Sequence, residues 1–335
     1  MSLLDRAEDR GFAPVLDGLD AIRRTALRRC ARVTAPFVRD RDLRVVAAAA
    51  LACATALAGT AFAPGYMLLF GPVLLGVPHL CFEARYLFFQ HVQLRRASLV
   101  AILAAQSALA FAGLGIYTLG VACLAALAVT GALATRRGQL LALGAVLVQA
   151  AALVGPDDSR FLLLHVHNCI PIAVWALWRR RPTRVSIAVA ACFVAGVAAI
   201  LCGGFDDLAL RRPFAESTFS IVHVTDAVAA GFGGPWRHRL LLFFIFTQAF
   251  HYAVWLRLIP EEARERATPR SWRASWHAFK QDSGPFAARA TIALSLAVPV
   301  AALVAGVVRT RALYVTASEF HATVEAILVA CVLAT

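Results

Sequence analysis

YMLLFGPVLLGVPHLCFEARYLFFQ, residues 66–90, is an apolar stretch long enough to cross the hydrocarbon core of a bilayer, which takes about 20 helical residues. Its second half nevertheless carries His79, Glu83 and Arg85. Ionisable side chains are costly in hydrocarbon and normally face the interior of a bundle or a water-filled cavity. The stretch therefore predicts a transmembrane helix with one functional face.

Comparable apolar runs fill most of the chain, which is 60% hydrophobic and only 16% charged, with a mean hydropathy of +0.70. The further predicted spans are about 44–63, 98–115, 117–134, 139–155, 159–178, 185–203, 239–258, 287–308 and 311–333. We predict an all-α fold, a polytopic transmembrane helical bundle of about ten spans at 43–335, preceded by a basic arm at 1–42.

One segment, residues 214–234, does not fit this pattern. It is moderately apolar but contains Glu216, His223 and Asp226. Non-helical backbone at membrane depth is tolerated where protein or a wet cavity surrounds it. The sequence leaves open a re-entrant element, a half-span or a surface loop.

The formal net charge of +13 comes mainly from arginines clustered between the apolar runs. With a cytoplasmic N-terminus, most clusters fall on the inner side, as the positive-inside rule requires. We therefore expect no nucleic-acid partner, membrane lipids as partners, and an integral protein of the bacterial inner membrane with both termini cytoplasmic. The arm is expected to lie as an amphipathic helix on anionic lipid. Arginines that fall on the wrong side in this topology are Arg211, Arg212, Arg237, Arg239, Arg309 and Arg311.

Two further expectations concern the inner ends of the helices. Arg85 and Arg257 should extend their guanidinium groups to the interface. An aromatic belt is expected there as well. Its predicted members are Trp175, Trp178, Trp255, Trp272 and Trp276.

Histidines inside the spans form the candidate functional site. Beside His79, the sixth span contains His165 and His167, the eighth His251 and the tenth His321. In the predicted topology these helices run in the same direction, and His79, His251 and His321 each lie about 10–13 residues from the outer end. At about 1.5 Å per residue they share one depth, so we predict that their rings converge.

Spacing within each helix indicates which carboxylates accompany the histidines. Glu83 follows His79 by one turn, and Glu325 follows His321 in the same way, so each pair shares a helix face. Glu319 is offset from His321 by about 200°, so Glu325 is the expected companion of His321. His165 and His167 point to different sides of a regular helix, and only one of the two is expected to be a direct ligand.

Neutral imidazole suits iron, copper and zinc. We predict iron (Fe²⁺), with copper, zinc or haem as open alternatives. The predicted metal ligands are His79, His165, His167, His251, His321 and Glu319, and the residues expected to assist the chemistry are Glu83, Tyr252 and Glu325.

The stretches GVPHLCFEARYLF and FFIFTQAFHYAVW resemble the Brp/Blh group of bacterial membrane β-carotene-cleaving dioxygenases. Those proteins carry intramembrane histidines thought to hold iron, with a Pro-His-Gly element followed by an acidic residue. Pro78 and His79 match that element, Leu80 replaces its glycine, and Glu83 stands at the acidic position. His251 would match a second histidine. The resemblance covers about 30 residues and implies the class, histidine-bound iron in a membrane bundle, more than the substrate.

The leading functional hypothesis is a membrane-embedded metal oxygenase or related oxidoreductase. A site reached from the bilayer implies a lipophilic small-molecule substrate such as a carotenoid or another isoprenoid. Two other classes stay open: a haem-binding electron-transfer protein with two histidines as axial ligands, and a transporter or proton relay that uses intramembrane His and Glu.

Overall fold

The computed structural model describes residues 3–91, 97–178, 184–207, 229, 231–264, 266, 268–318 and 320–334. Within these ranges all regular structure is helical. The α-helices are α1 (Leu3–Arg29), α2 (Ala31–Arg39), α3 (Arg41–Phe62), α4 (Pro64–Glu83), α5 (Ala97–Phe111), α6 (Gly115–Val129), α7 (Arg136–Val154), α8 (Pro156–Trp178), α9 (Arg184–Leu201), α10 (Gly234–Ala253), α11 (Ile259–Glu262), α12 (Trp272–Ser283), α13 (Pro285–Ala305), α14 (Val307–Ser318) and α15 (Phe320–Ala334). Two π-helical segments, Ala84–His91 and Val254–Leu258, follow α4 and α10.

Seven helical stretches in the described part of the chain are long and apolar enough to cross a membrane. They are Arg41–Phe62, Pro64–Leu87, Arg136–Val154, Arg184–Leu201, Gly234–Glu262, Pro285–Ala305 and Val307–Ala334. This confirms a helical protein with several helices of membrane-spanning length, while the count of ten spans stays a prediction. Residues 214–228 and 230 lie outside the described residues, as do Glu216, His223 and Asp226, so the re-entrant element is not addressed.

The predicted spans 98–115 and 117–134 are shorter in the structure. Their helices, α5 and α6, have 15 residues each. The chain turns between them at Gly113, whose φ of 75° is left-handed. Glycine adopts that conformation readily because it lacks a Cβ atom. The turn ends α5 four residues earlier than the apolar pattern alone indicates.

Helix α10 is the centre of the bundle and contacts α3, α4, α8 and α9. Its extended stretch Gly234–Glu262 is 67% buried, against 11% for Pro285–Ala305 at the periphery. Aromatic side chains of α10 and its π-helical extension, among them Phe246, Phe250 and Trp255, form the core. The peripheral helix α13 instead exposes Phe286, Leu303 and Val304. Exposed apolar patches of this kind mark a surface that meets lipid or another protein.

Close helix contacts in the bundle depend on small residues. A Cβ atom at Gly120 of α6 would collide with the Ala145 carbonyl oxygen of α7, so the glycine allows the two backbones to approach. Such contacts are typical of helix pairs in membranes, where close packing replaces the hydrophobic driving force.

The basic arm folds against the loop region that follows α11. Asp20 of α1 accepts hydrogen bonds from the backbone N–H groups of Trp272 (2.8 Å) and Arg273 (3.3 Å), the first residues of α12. Arg41 donates to the carbonyl oxygen of Arg264 at 2.7 Å. The arm is therefore attached to the protein, and its contact with lipid stays a prediction.

The expectations about the inner helix ends are wrong for Arg85, Trp175 and Trp255, whereas Arg257 and Trp272 are about half exposed. Arg85 does not extend to an interface: it is 5% exposed and donates to Asp282 of α12 at 2.8 and 2.5 Å. Trp175 and Trp255 are fully buried and cannot belong to an aromatic belt. Apolar pattern indicates the depth of a residue in a span but not the direction that its side chain takes.

Candidate metal centre

Four histidines from four helices meet in the middle of the bundle: His79 of α4, His167 of α8, His251 of α10 and His321 of α15. Around the cluster, ring centroids of neighbours lie 5.2 Å apart for His79 and His251, 4.7 Å for His251 and His167, 4.5 Å for His167 and His321, and 5.4 Å for His321 and His79. The centroids of His251 and His321, on opposite sides, are 6.4 Å apart. The predicted convergence of His79, His251 and His321 is thus observed, and His167 joins them.

These spacings match imidazoles placed around a single ion. A metal about 2.1 Å from a ring nitrogen lies about 3.2 Å from the ring centroid, so rings around one ion should be about 4.5–6.4 Å apart by centroid, depending on the angle between them. One nitrogen from each of His79, His251 and His321 and one carboxylate oxygen of Glu83 all lie within 4.8 Å of one another. A second, overlapping group joins His167, His251 and Glu325 within the same limit.

Backbone contacts orient two of the rings. Nδ1 of His79 lies 3.3 Å from the Leu75 carbonyl oxygen, and Nδ1 of His321 lies 2.5 Å from that of Ser318. A carbonyl oxygen only accepts, so each Nδ1 carries the hydrogen and each Nε2 presents a lone pair. Neither Nε2 has a hydrogen-bond partner within the described residues. A backbone carbonyl that fixes the tautomer in this way is typical of metal-binding histidines.

Neither buried carboxylate of the cluster has an arginine or lysine partner among the described residues. Glu83 is 5% exposed and Glu325 is fully buried. No arginine or lysine among the described residues forms an ion pair with either one, and each carboxylate repels the other electrostatically. Two uncompensated carboxylates in an apolar bundle are costly, and a divalent cation would offset their charge.

The expected comparison of Glu325 with Glu319 as companions of His321 is not tested, because Glu319 lies outside the described residues, but Glu325 has a contact that was not predicted. Its Oε2 atom lies 2.5 Å from Nδ1 of His167 on α8, and its Oε1 atom accepts a hydrogen bond of 3.2 Å from Trp255. No ion pair with His321 forms among the described residues. The shared helix face was predicted correctly, but α8 packs against that face and brings His167 closer than the histidine one turn away.

A π-helical segment begins just beyond the site on two of the four helices. Ala84–His91 follows Glu83 directly, and Val254–Leu258 starts three residues after His251. A π-turn widens the helix by one residue and is frequent at functional sites. Here the second segment carries Trp255, which donates to Glu325. Apolar periodicity gives no signal for such turns. The contact of Trp255 with Glu325 was therefore not predicted from the sequence.

A cavity of about 620 Å³ leads to the cluster. His79, His167, His251 and His321 line one end, and Gly113, Asp157, Arg160 and Arg311 line the other. The walls between are largely apolar and include Ile116, Phe161, Leu163, Leu164 and Phe244. A largely apolar cavity with a few converging polar groups is the usual form of a small-molecule site.

The remaining predicted residues are placed as follows. Tyr252 packs on His79, with ring centroids 4.5 Å apart, and lines the cavity. His165 lies outside both groups of ligand atoms and contacts the rings of Phe161 and Phe243. Glu319 lies outside the described residues. The opposite placement of His165 and His167 agrees with their two-residue spacing.

The chain matches no protein-family model, no curated protein and no solved structure.

Proposed function

We propose that this protein is a membrane-embedded metal-dependent oxygenase, or a related oxidoreductase, that acts on a lipophilic molecule. The observation that carries the proposal is the cluster of three buried histidines, a partly buried fourth and two buried carboxylates without an arginine or lysine partner among the described residues, beside a largely apolar cavity. Its resemblance to the Brp/Blh dioxygenases, through Pro78, His79 and Glu83, supports the same class.

In this proposal the ion is held by His79, His251 and His321 through ring nitrogens and by Glu83 through one oxygen. Bound Fe²⁺ with an open coordination position supplies activation of dioxygen. Glu325 holds the ring of His167 beside the site, and Trp255 fixes Glu325 in turn. The fully buried position of Glu325 and the apolar cavity walls keep bulk water away from the reacting molecule.

Spacing within the cluster favours an ion over haem. Two axial histidines need a clear plane between them that a porphyrin can occupy. His251 and His321 stand at a suitable separation, but His167 lies within 4.7 Å of each by ring centroid, and His79 is a neighbour of both. These two rings would occupy the porphyrin plane.

Membrane topology is part of the proposal. Arginine clusters between the spans favour two cytoplasmic termini in a bacterial inner membrane. A reporter active only outside the membrane, fused after residue 335, should be silent, whereas activity of that reporter would refute an even number of spans.

The functional test measures dioxygen consumption by purified protein in lipid nanodiscs, reconstituted with Fe²⁺ and supplied with β-carotene or a shorter isoprenoid alcohol. An isoprenoid carboxylate of similar length is supplied in parallel, so that head-group charge does not decide the result. We expect consumption above that of empty nanodiscs with at least one of these lipophilic molecules, and its loss in His321→Ala. The matched control is His277→Ala, which changes a histidine of α12 remote from the cluster. Bound iron without any substrate-dependent consumption would contradict the oxygenase assignment, and a Soret band in the purified protein would point to haem instead.

A further inference from the structure

One residue that lines the cavity, Arg311, is a cation that forms no ion pair among the described residues. Arg311 of α14 is partly buried, lines the cavity and donates through Nε to the Leu68 carbonyl oxygen at 2.8 Å. No carboxylate among the described residues pairs with its guanidinium group. The other arginine that lines the cavity differs: Arg160 lies 3.7 Å from Asp157 and donates to the Gly113 carbonyl oxygen at 2.9 Å. Among the described residues, the positive charge of Arg311 therefore has no carboxylate to balance it.

The distance from this charge to the histidines is set by α4. Leu68, which accepts from Arg311, lies eleven residues before His79 on the same helix. At about 1.5 Å per residue, the backbones of Leu68 and His79 are about 16 Å apart along the helix axis, so Arg311 binds α4 about three turns from the histidine. The walls between the two ends are mainly apolar. The cavity thus offers a charged end, an apolar channel and a reactive end in sequence.

We propose that the substrate is a single-chain amphiphile with an anionic head, a carboxylate or a phosphate, bound by Arg311, and with an apolar tail that reaches His79. This substrate class rests on the proposed function for its reaction. A hydrocarbon without a head group would leave the Arg311 guanidinium without a counter-ion, while an anion gains charge-assisted hydrogen bonds from its free N–H groups.

The test uses dodecanoate and dodecanol as probes, because they share a tail and differ in head charge. Equilibrium binding of each radiolabelled probe is measured on metal-free protein in zwitterionic nanodiscs, after correction for empty nanodiscs. Metal-free protein is used so that a carboxylate–metal bond cannot produce the result. We expect dodecanoate to bind about tenfold more tightly than dodecanol, as one charge-assisted contact implies.

Variants assign that preference to the proposed residue. Arg311→Gln should reduce dodecanoate binding to the dodecanol level, and Arg311→Lys should retain much of the preference because it keeps the charge. Arg309→Gln, an exposed arginine two residues away, is the matched control and should bind as the original protein does. Equal binding of the two probes to the original protein, or a preference that persists in a folded Arg311→Gln variant, would overturn the proposal.

Failure of this inference and failure of the proposed function give different results. If the cluster binds no metal, reconstitution with Fe²⁺ fails while the dodecanoate preference remains. If the anion site is wrong, the preference is absent while iron still binds and dioxygen is still consumed.

Discussion

Two buried carboxylate sites in this bundle differ in how their charge is balanced. At one end, Glu261 is fully buried and receives two hydrogen bonds of 3.1 Å from Arg44, with Arg257 at 3.0 Å and Arg264 at 3.2 Å. In the middle, Glu83 and Glu325 have no arginine or lysine partner within the described residues, and several histidine nitrogens beside them are unpaired.

The contrast separates a structural site from a functional one. Buried charges are normally paired, and an ion pair that has all its partners is part of the architecture. A cluster whose polar atoms converge without partners costs stability unless a ligand completes it. The same bundle uses arginine where it needs only charge balance, and no arginine among the described residues pairs with Glu83 or Glu325, which supports the proposed cation site.

The largest expected effect is a loss of folding stability at Glu261, the carboxylate that is paired with arginines. Glu261→Ala removes the shared partner of three arginines and leaves buried guanidinium groups uncompensated, which typically costs about 3–5 kcal/mol. The free energy of unfolding, from denaturant titration in mixed micelles, should fall by that amount. Asp282→Ala, at a partly exposed single pair with Arg85, is the control and should cost less. A loss below about 1 kcal/mol for Glu261→Ala would remove its structural role.

The histidine cluster in the middle of the bundle should instead contribute little to the stability of the metal-free protein. His79→Leu replaces a buried ring, whose Nε2 has no hydrogen-bond partner among the described residues, with an apolar side chain of similar size, so metal-free protein should lose less than about 1 kcal/mol or gain stability. Excess Fe²⁺ at about 100 times its Kd should stabilise the original protein by about 2.7 kcal/mol and leave the variant unchanged. A loss of several kcal/mol in metal-free His79→Leu would mean that the cluster is itself an architectural element.

A change at Trp255 tests how the middle site is supported. Trp255→Phe keeps most of the aromatic volume but removes the N–H donor to Glu325. Loss of such an orienting contact typically weakens metal binding by about 10–100-fold. Trp276→Phe, which contacts Phe12 of the arm, is the control and should bind Fe²⁺ normally. Equal Fe²⁺ affinities in the two variants would show that Glu325 needs no support.

The smallest expected effect is at the attached arm, outside the membrane-spanning helices. Burial tends to raise the pKa of Asp20, but the N–H donors of Trp272 and Arg273 outweigh it and the pKa lies below its ordinary value. Since the folded-state pKa is depressed, Asp20 stabilises the arm above the ordinary pKa of 3.8 and that stabilisation is lost as the pH falls. Asp20→Asn should cost about 0.5–2 kcal/mol, by analogy with helix caps.

Limited proteolysis of the arm measures this directly. At pH 7 the Asp20→Asn arm should be cleaved faster than the original, and the difference should shrink as the pH falls below 3.8. Asp17→Asn, which removes an exposed pair with Arg273, should have little effect at either pH. Cleavage that is independent of Asp20 at pH 7 would contradict this role.

Helix periodicity predicted the meeting of His79, His251 and His321 because each lies at a similar count from its helix end. Counting residues gives depth, and residues of equal depth meet if their helices are neighbours. Contacts across the bundle were not predicted, because helix rotation and the π-helical segments decide which way side chains face. Glu325 contacts His167, and Trp255 is buried beside it. Neither feature has a single-sequence signal.

Metal binding by the histidine cluster can be measured by X-ray absorption at the iron edge of purified, Fe²⁺-reconstituted protein, with His321→Ala as the matched variant. If the cluster binds a metal, we expect about one iron per chain. The iron should have nitrogen and oxygen neighbours at about 2.0–2.2 Å with the outer-shell pattern of imidazole, and the variant should show fewer imidazoles. Iron that binds with an identical spectrum in both proteins, or no bound iron in either, would show that the histidine cluster is not an iron site.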